Sequence, residues 1–244
     1  MILSIIAAGE GSRLKQEGIL ISKPLVKIGG IALIDRLILN AVNNGITKIV
    51  CVINEDSKDV LLHLQNNRYD IPIEIKVKST PSSLHTMYEL KEFINEPFLM
   101  GTVDSIFVPE EYRKFVNYCS QYESNIITNS PDAILGITDF IDDETPLCVE
   151  LSGKSITSFH NEKANHKWAT GGVYYFKPEV FSFAEKAIDS GIFRLRNLLN
   201  MLVKEGLKVE GFKFSKIIDI DHLEDIEKAN EFLKIFVKNK FIPK

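Results

Sequence analysis

Strand-like and helix-like segments alternate through the first half of this 244-residue chain, and that alternation most limits its fold. Residues 3–8, LSIIAA, form an apolar run of strand length. Residues 32–44 carry apolar side chains at 33, 34, 37, 38, 41 and 42, a helical stripe, and Gly45 is suited to end it. ITKIVCVI is β-rich throughout. SKDVLLHLQNN predicts a short helix from Ser57, and residues 71–78 alternate at period two. SLHTMYELKEFI reads as a helix, PFLMGTVD as a strand, and PEEYRKFVNYCSQYE as a helix opened by Pro109. Such alternation predicts βαβ units around a mainly parallel sheet with helices on both faces.

The second half changes character. PLCVEL, the turn SGK and SITSF read as a hairpin, and WATGGVYYF as another strand. Two helices are expected over about 178–190 and 193–205. KVEGFKF and KIIDI are strands, and a long helix runs from about His222. No repeat and no low-complexity linker divides the chain. The expectation is one α/β domain over 1–244: a Rossmann-like, mainly parallel mixed sheet with a small β-rich insertion.

Composition excludes several classes. Apolar residues make up 45% and charged residues 25%, enough for a sizeable core. Net charge is −4, with no basic stripe, so neither nucleic acid nor an anionic membrane is an expected partner. No apolar run approaches a membrane span, and the apolar start lacks a cationic lead-in. Cys51, Cys119 and Cys148 fit neither a disulfide framework nor zinc spacing, which points to a reducing cytoplasm. The five histidines form no close-spaced cluster in the sequence, so zinc is not expected.

The first strand runs into AAGEGSRL. Ligands of parallel α/β sheets bind beyond the carboxyl ends of strands. Gly9 and Gly11 allow a tight turn that exposes backbone N–H groups, a geometry suited to phosphate. Arg13 adds a planar charged fork and Lys23 a mobile point charge. The stretch is neither GxGxxG, since Leu14 stands at the last glycine, nor a P-loop. On these residues alone, an ordinary glycine turn remains the alternative.

AAGEGSRL followed by SKPLVKIGG resembles the signature of the nucleotidyltransferases that make nucleoside-diphosphate sugars. Further segments resemble that family in the same order: TPSSLHT, FLMGTVDSIF, FHNEK with ATGGVYYFKPE, and IIDIDHLEDIEKA. The resemblance implies a GT-A-like fold with a nucleotide-binding half over about 1–135 and an acceptor-binding half over about 136–244. It implies transfer of a nucleoside monophosphate from an NTP to a phosphomonoester such as a sugar 1-phosphate, with Mg²⁺ as cofactor and pyrophosphate as product. Chemistry of this kind needs positioning and charge neutralisation, not a covalent nucleophile.

Carried onto this chain, the resemblance gives Arg13 and Lys23 catalytic roles on the leaving pyrophosphate and the attacked phosphate. Ala7, Ala8, Gly9, Gly11, Ser12, Thr80, Ser82 and Ser83 would bind nucleotide, with Leu84 beside them. Ser82 or Ser83 also suits a helix cap. Glu162, Lys163 and Gly172 would bind the acceptor, and Asp104 and Asp219 the metal. Asp219 lies between isoleucines, whereas Asp221, three residues before Glu224, suits a helix N-cap and is the second choice as ligand. Lys23 precedes Pro24, so an extended backbone is expected there. Trp168 would wall the acceptor pocket or anchor the core. Lys216 is a further candidate for phosphate, and Lys27 is expected to be solvated.

Two departures stand out: Val103 replaces the family's usual glycine before the aspartate, and Ala164 its usual proline. They leave open a phosphocholine-type cytidylyltransferase, or a catalytically weak regulatory homologue. An oligomer is compatible with the sequence. No hexapeptide tail follows within these residues, so a fused acyltransferase is not expected. A dinucleotide-dependent dehydrogenase is disfavoured by the missing GxGxxG.

Overall fold

The computed structural model describes residues 1–123, 129–142, 144–162 and 166–239, with side chains to residue 234. In chain order the elements are β1 (Ile2–Ala7), α1 (Ser12–Gln16), β2 (Lys27–Ile28), β3 (Ile31–Ala32), α2 (Leu33–Val42), β4 (Lys48–Ile53), α3 (Lys58–Asn66), β5 (Ile73–Val77), α4 (Ser83–Tyr88), β6 (Phe98–Thr102), β7 (Ser105–Phe107) and α5 (Pro109–Ser120). There follow β8 (Ala133–Thr138), β9 (Cys148–Ser152), β10 (Ser155–His160), β11 (Trp168–Phe176), α6 (Val180–Asp189), α7 (Leu195–Lys204), β12 (Val209–Phe214), β13 (Ile217–Asp219) and α8 (Leu223–Asn239).

Nine strands form one mixed sheet in the order β5-β4-β1-β6-β11-β8-β12-β10-β9. β5, β4, β1 and β6 run parallel, as the βαβ pattern requires. β11 then pairs antiparallel with both β6 and β8, and β12 returns parallel to β8. The hairpin of β9 and β10 closes the far edge.

Successive residues of a strand point to opposite faces, and β1 shows the consequence. Leu3, Ile5 and Ala7 belong to one buried cluster with Leu37 and Ile38 of α2, Val60 of α3, Phe115 of α5 and Ala229 of α8. Ile2 and Ile6 belong to a second, with Leu84 and Met87 of α4, Ala184 of α6 and Leu198 of α7. Strands buried on both sides must read as continuous apolar runs, which is why LSIIAA and KIVCVI lack alternation.

Four local expectations need correcting. Lys23 is not extended; it heads a one-turn 3-10 helix, Lys23–Leu25, with Val26 N–H donating to the Lys23 carbonyl. SLHTMYELKEFI is not one helix, since α4 ends at Tyr88 and a 3-10 turn, Glu89–Glu92, follows. β6 stops at Thr102, and residues 105–107 form a separate strand paired antiparallel with β13. β8, AILGIT, is a buried interior strand that the sequence reading passed over. Among the described residues no helix is long and apolar enough to cross a membrane.

Candidate active site

The loop after β1 lines a cleft of about 730 Å³ at the carboxyl ends of the parallel strands. Gly11 has φ 62°, and a Cβ there would lie 3.1 Å from Cβ of Lys23, so the turn and the approach to Lys23 both need glycine. Ala7, Ala8, Gly9, Gly11, Ser12, Arg13, Lys23, Thr80, Ser82, Ser83, Asp104 and Asp221 all line this cleft. Asn54, Asp56, Ser79 and Thr102 line it too and were missed. Asn54 follows β4 directly, so the strand-end rule alone would have found it.

A four-member ion network forms part of the cleft wall. Lys23 Nζ lies 2.6 Å from Asp104 Oδ2 and 2.7 Å from Asp221 Oδ1. Arg13 Nη1 donates to Asp221 Oδ2 at 2.7 Å. Only 11% of the Lys23 side chain is exposed. Its burial opposes the charge, but the carboxylates of Asp104 and Asp221 outweigh that and hold its pKa above the ordinary lysine value. Burial likewise acts to raise the Asp104 carboxyl, and the Lys23 charge and hydrogen bond bring it below the usual range. The cation is therefore permanent at neutral pH, and the Asp104 carboxylate stays poised as an anion.

The backbone brings these groups together across the chain. Asp104 follows β6, and its carbonyl accepts from Ile220 N–H at 3.1 Å, joining that strand end to the segment after β13. β7 and β13 set Ser105 opposite Asp219, and Ser105 Oγ donates to Asp219 Oδ1 at 3.0 Å. Thr102 Oγ1 and Ser105 Oγ lie 2.7 Å apart. Gly172 sits against this pair with φ 68°; a Cβ there would fall 2.1 Å from Ser105 Oγ and 2.2 Å from Thr102 Oγ1.

The cap of α8 differs from the sequence expectation. Asp221 does not cap α8. Asp225, three residues after His222, accepts from Asp221 N–H at 3.0 Å and His222 N–H at 2.8 Å. That is the back-reaching half of a capping box, one residue later than expected. Asp221 is thereby left to face Lys23 and Arg13. Asp104, Asp219 and Asp221 line a cavity of about 200 Å³ that adjoins the cleft. They offer oxygen alone, the donor chemistry that suits Mg²⁺.

Gly172 lines the same cavity, with Thr170, Tyr174 and Arg196. Arg196 was not anticipated; it stands at the start of α7 and donates to the Thr145 carbonyl at 3.0 Å. Glu162 is exposed and lines neither the cleft nor this cavity. Lys163 and Ala164 lie outside the described residues. Leu84 is wholly buried in the second core cluster and does not line the cleft. Ser82 is the N-cap position of α4, but its hydroxyl meets His85 Nδ1 at 3.0 Å, while Ser83 Oγ accepts from Leu195 N–H at 3.1 Å. Thr80 Oγ1 and Thr86 Oγ1 lie 2.6 Å apart. Trp168 packs on the second core with Lys213 Nζ 4.6 Å from its ring centroid, and Lys216 lies over Phe140 at 3.7 Å, not on the cleft. Lys27 is exposed, as expected.

Comparison with known proteins gives a consistent set of relatives. Residues 3–235 match the family described as Nucleotidyl transferase. The bifunctional protein GlmU of Methanococcus aeolicus is 25% identical over 215 residues, which is 85% of this chain and 49% of that protein. The chain thus spans about half the length of this curated relative. The inositol-1-phosphate CTP transferase of T. maritima superposes with a TM-score of 0.76 at 19% identity, covering 96% of this chain and 94% of that one. A UDP-glucose pyrophosphorylase complexed with UDP-glucose superposes with a TM-score of 0.77 at 17% identity, covering 96% and 98%.

Proposed function

Because the chain belongs to the nucleotidyl transferase family, we propose that it moves a nucleoside monophosphate from an NTP to a phosphomonoester, a sugar 1-phosphate or a similar acceptor, and releases pyrophosphate. One observation carries this reading: a buried, permanently charged Lys23 held by Asp104 and Asp221 in the wall of a cleft that the glycine loop and Arg13 also line. The acceptor phosphate oxygen attacks the α-phosphorus, the bond to the β-phosphate oxygen breaks, and pyrophosphate departs with the electron pair.

Lys23 neutralises the attacked phosphate and the incoming phosphomonoester, whose mutual repulsion would otherwise oppose approach. Arg13 offers its fork to the leaving pyrophosphate. The loop amides around Gly9 and Gly11 cradle the triphosphate. Thr80, Ser82 and Ser83 border the nucleoside end. Asp104 with Asp221 or Asp219 would hold Mg²⁺, which would offset the charge of the phosphates. Asp221 contacts Lys23 directly, as Asp104 does, while Asp219 accepts from Ser105, which supports Asp221 as Asp104's companion.

The two halves divide at about residue 135, with Gly172 and the cavity behind it on the acceptor side. Glu162 and Lys163 remain proposed acceptor contacts. Three buried cysteines, Cys51, Cys119 and Cys148, suit a reducing cytoplasm. A second reading, an acceptor with a cationic headgroup of the phosphocholine kind, is supported by a neighbouring recess of about 80 Å³ lined by Phe140 and by the acidic Asp142, Glu144, Asp219 and Glu224, which outnumber the basic Arg13 and His222.

The test is pyrophosphate release with Mg²⁺, each common NTP, and a panel of sugar 1-phosphates plus phosphocholine. Lys23→Ala, Asp104→Ala and Asp221→Ala should each lower turnover by about 100-fold or more, the scale of losing one transition-state charge contact. No release with any pair, together with no nucleotide binding, refutes the proposal.

A further inference from the structure

Outside the cleft, the hairpin at the sheet edge gathers a second set of ligating side chains. Glu150 stands on β9, His160 ends β10, and His166 lies two residues before β11. The sequence separates these residues, but the sheet aligns them, because β10 and β11 both pair with β9: His160 opposite Cys148, and Trp168 opposite Val149. The imidazole rings stack with centroids 4.0 Å apart and planes at 16°. Glu150 Oε1 is 3.6 Å from His160 Nε2 and 4.0 Å from His166 Nδ1. One ligand atom from each residue lies within 4.8 Å of the other two.

We propose that Glu150, His160 and His166 form a binding site for one divalent transition-metal ion such as Zn²⁺, separate from the carboxylate cluster of the cleft, that ties together the two ends of the 161–165 segment.

Two imidazoles and one carboxylate are a borderline donor set. They suit Zn²⁺, Co²⁺, Ni²⁺ or Cu²⁺, and suit Mg²⁺ poorly. Metal bonds of about 2.0–2.2 Å in tetrahedral geometry set ligand atoms about 3.4 Å apart. The spacings here are wider by a few tenths of an ångström or more, so the ion draws the three side chains inward. The rings must also rotate out of their stack to aim both lone pairs at one point. Their exposure permits this: the His166 side chain is 15% exposed, His160 37% and Glu150 55%, which also leaves an entry path. Ser158 Oγ lies 2.8 Å from Glu150 Oε2 and 2.8 Å from His160 Nε2. Its bond to Oε2 orients the carboxylate and leaves Oε1 for the ion, while His160 exchanges the hydroxyl for the metal. Three protein ligands leave a fourth position for water. The five residues between the histidines include Glu162 and Lys163, so a bound ion would fix both ends of that stretch.

The experiment uses tag-free protein stripped with a chelator. Zn²⁺ is titrated calorimetrically, and Co²⁺ is followed by its visible absorption. The expected result is one ion per chain, slower hydrogen exchange in the peptide spanning 161–167 on Zn²⁺ addition, and full retention of both in Asp104→Asn. His160→Ala/His166→Ala should weaken binding by at least the roughly 10–100-fold that even an outer-shell change costs. Glu150→Gln, isosteric and exposed, should weaken it too and serves if the double variant does not fold. Absence of stoichiometric binding, unchanged exchange over 161–167, or binding that survives the histidine and glutamate variants and is lost in Asp104→Asn would overturn the proposal.

Discussion

Replacing Gly172 by alanine should damage the protein out of proportion to one methyl group. Two costs combine. The backbone sits at φ 68°, where an L side chain is disfavoured by about 1–2 kcal/mol. The new Cβ would also lie 2.1 Å from Ser105 Oγ and 2.2 Å from Thr102 Oγ1. Both hydroxyls must swing away, which breaks the Thr102–Ser105 contact and the Ser105–Asp219 bond. Each hydrogen bond contributes about 0.5–1.5 kcal/mol, so this adds about 1–3 kcal/mol. The sum, about 2–5 kcal/mol, lowers Tm by about 4–20 °C for a chain of this size. Gly153→Ala is the control: its φ is 64°, with nothing within 4 Å of the added Cβ, so it carries the backbone cost alone. Urea unfolding of both variants, read with thermal melts, separates the two terms. If Gly172→Ala is no less stable than Gly153→Ala, the packing of Gly172 against Ser105 and Thr102 does not hold Asp219, and the reasoning fails.

Asp225→Ala removes the acceptor for two N–H groups at the start of α8 and should cost about 1–2 kcal/mol in urea unfolding; a change near zero would mean that Glu17, which accepts from Leu223 N–H at 2.7 Å, caps the helix unaided. All three cysteines are buried, and burial pushes the Cys51 thiol up to about 12 and Cys119 well above its usual value. Because the thiolate is the reactive form, native protein should show no fast-reacting thiols toward a disulfide reagent and three after denaturation; rapid labelling of any thiol in the native state would contradict the core assignment.

Most of the sheet's left half was readable because βαβ units write themselves as local periodicity. The order of the other strands was not, since β11 reaches between β6 and β8 through pairings that no local pattern encodes. β8 hid for a related reason: its apolar run lies between a tyrosine-rich helix end and loops, with no helix partner directly after it to complete an alternation. At the site, the glycine loop, Arg13, Lys23 and Asp104 were legible as charges and turns placed at strand ends. The cap of α8 was not, because the spacing Asp221 to Glu224 imitates a cap as well as Asp225 supplies one. Asn54, Ser79 and Thr102 carry no charge and no distinctive spacing, and only the closing of the sheet shows that they share a cleft. His160 and His166 became neighbours only through β9, which pairs with both flanking strands.

The Lys23 network also sets a timetable. Its cations lie at positions 13 and 23, and the carboxylate that both contact lies 208 and 198 residues later. At a synthesis rate of about 5–20 residues per second, Lys23 is made about 10–40 seconds before Asp221. During that interval β1, β4 and β6 can already pair, and Asp104 can already reach Lys23, but the ammonium has one of its two carboxylate partners. A nascent chain that has reached residue 104 therefore presents two cations, Arg13 and Lys23, against one carboxylate. It gains the finished charge pattern only when β13 docks on β7, so the last strand to be made completes the first loop.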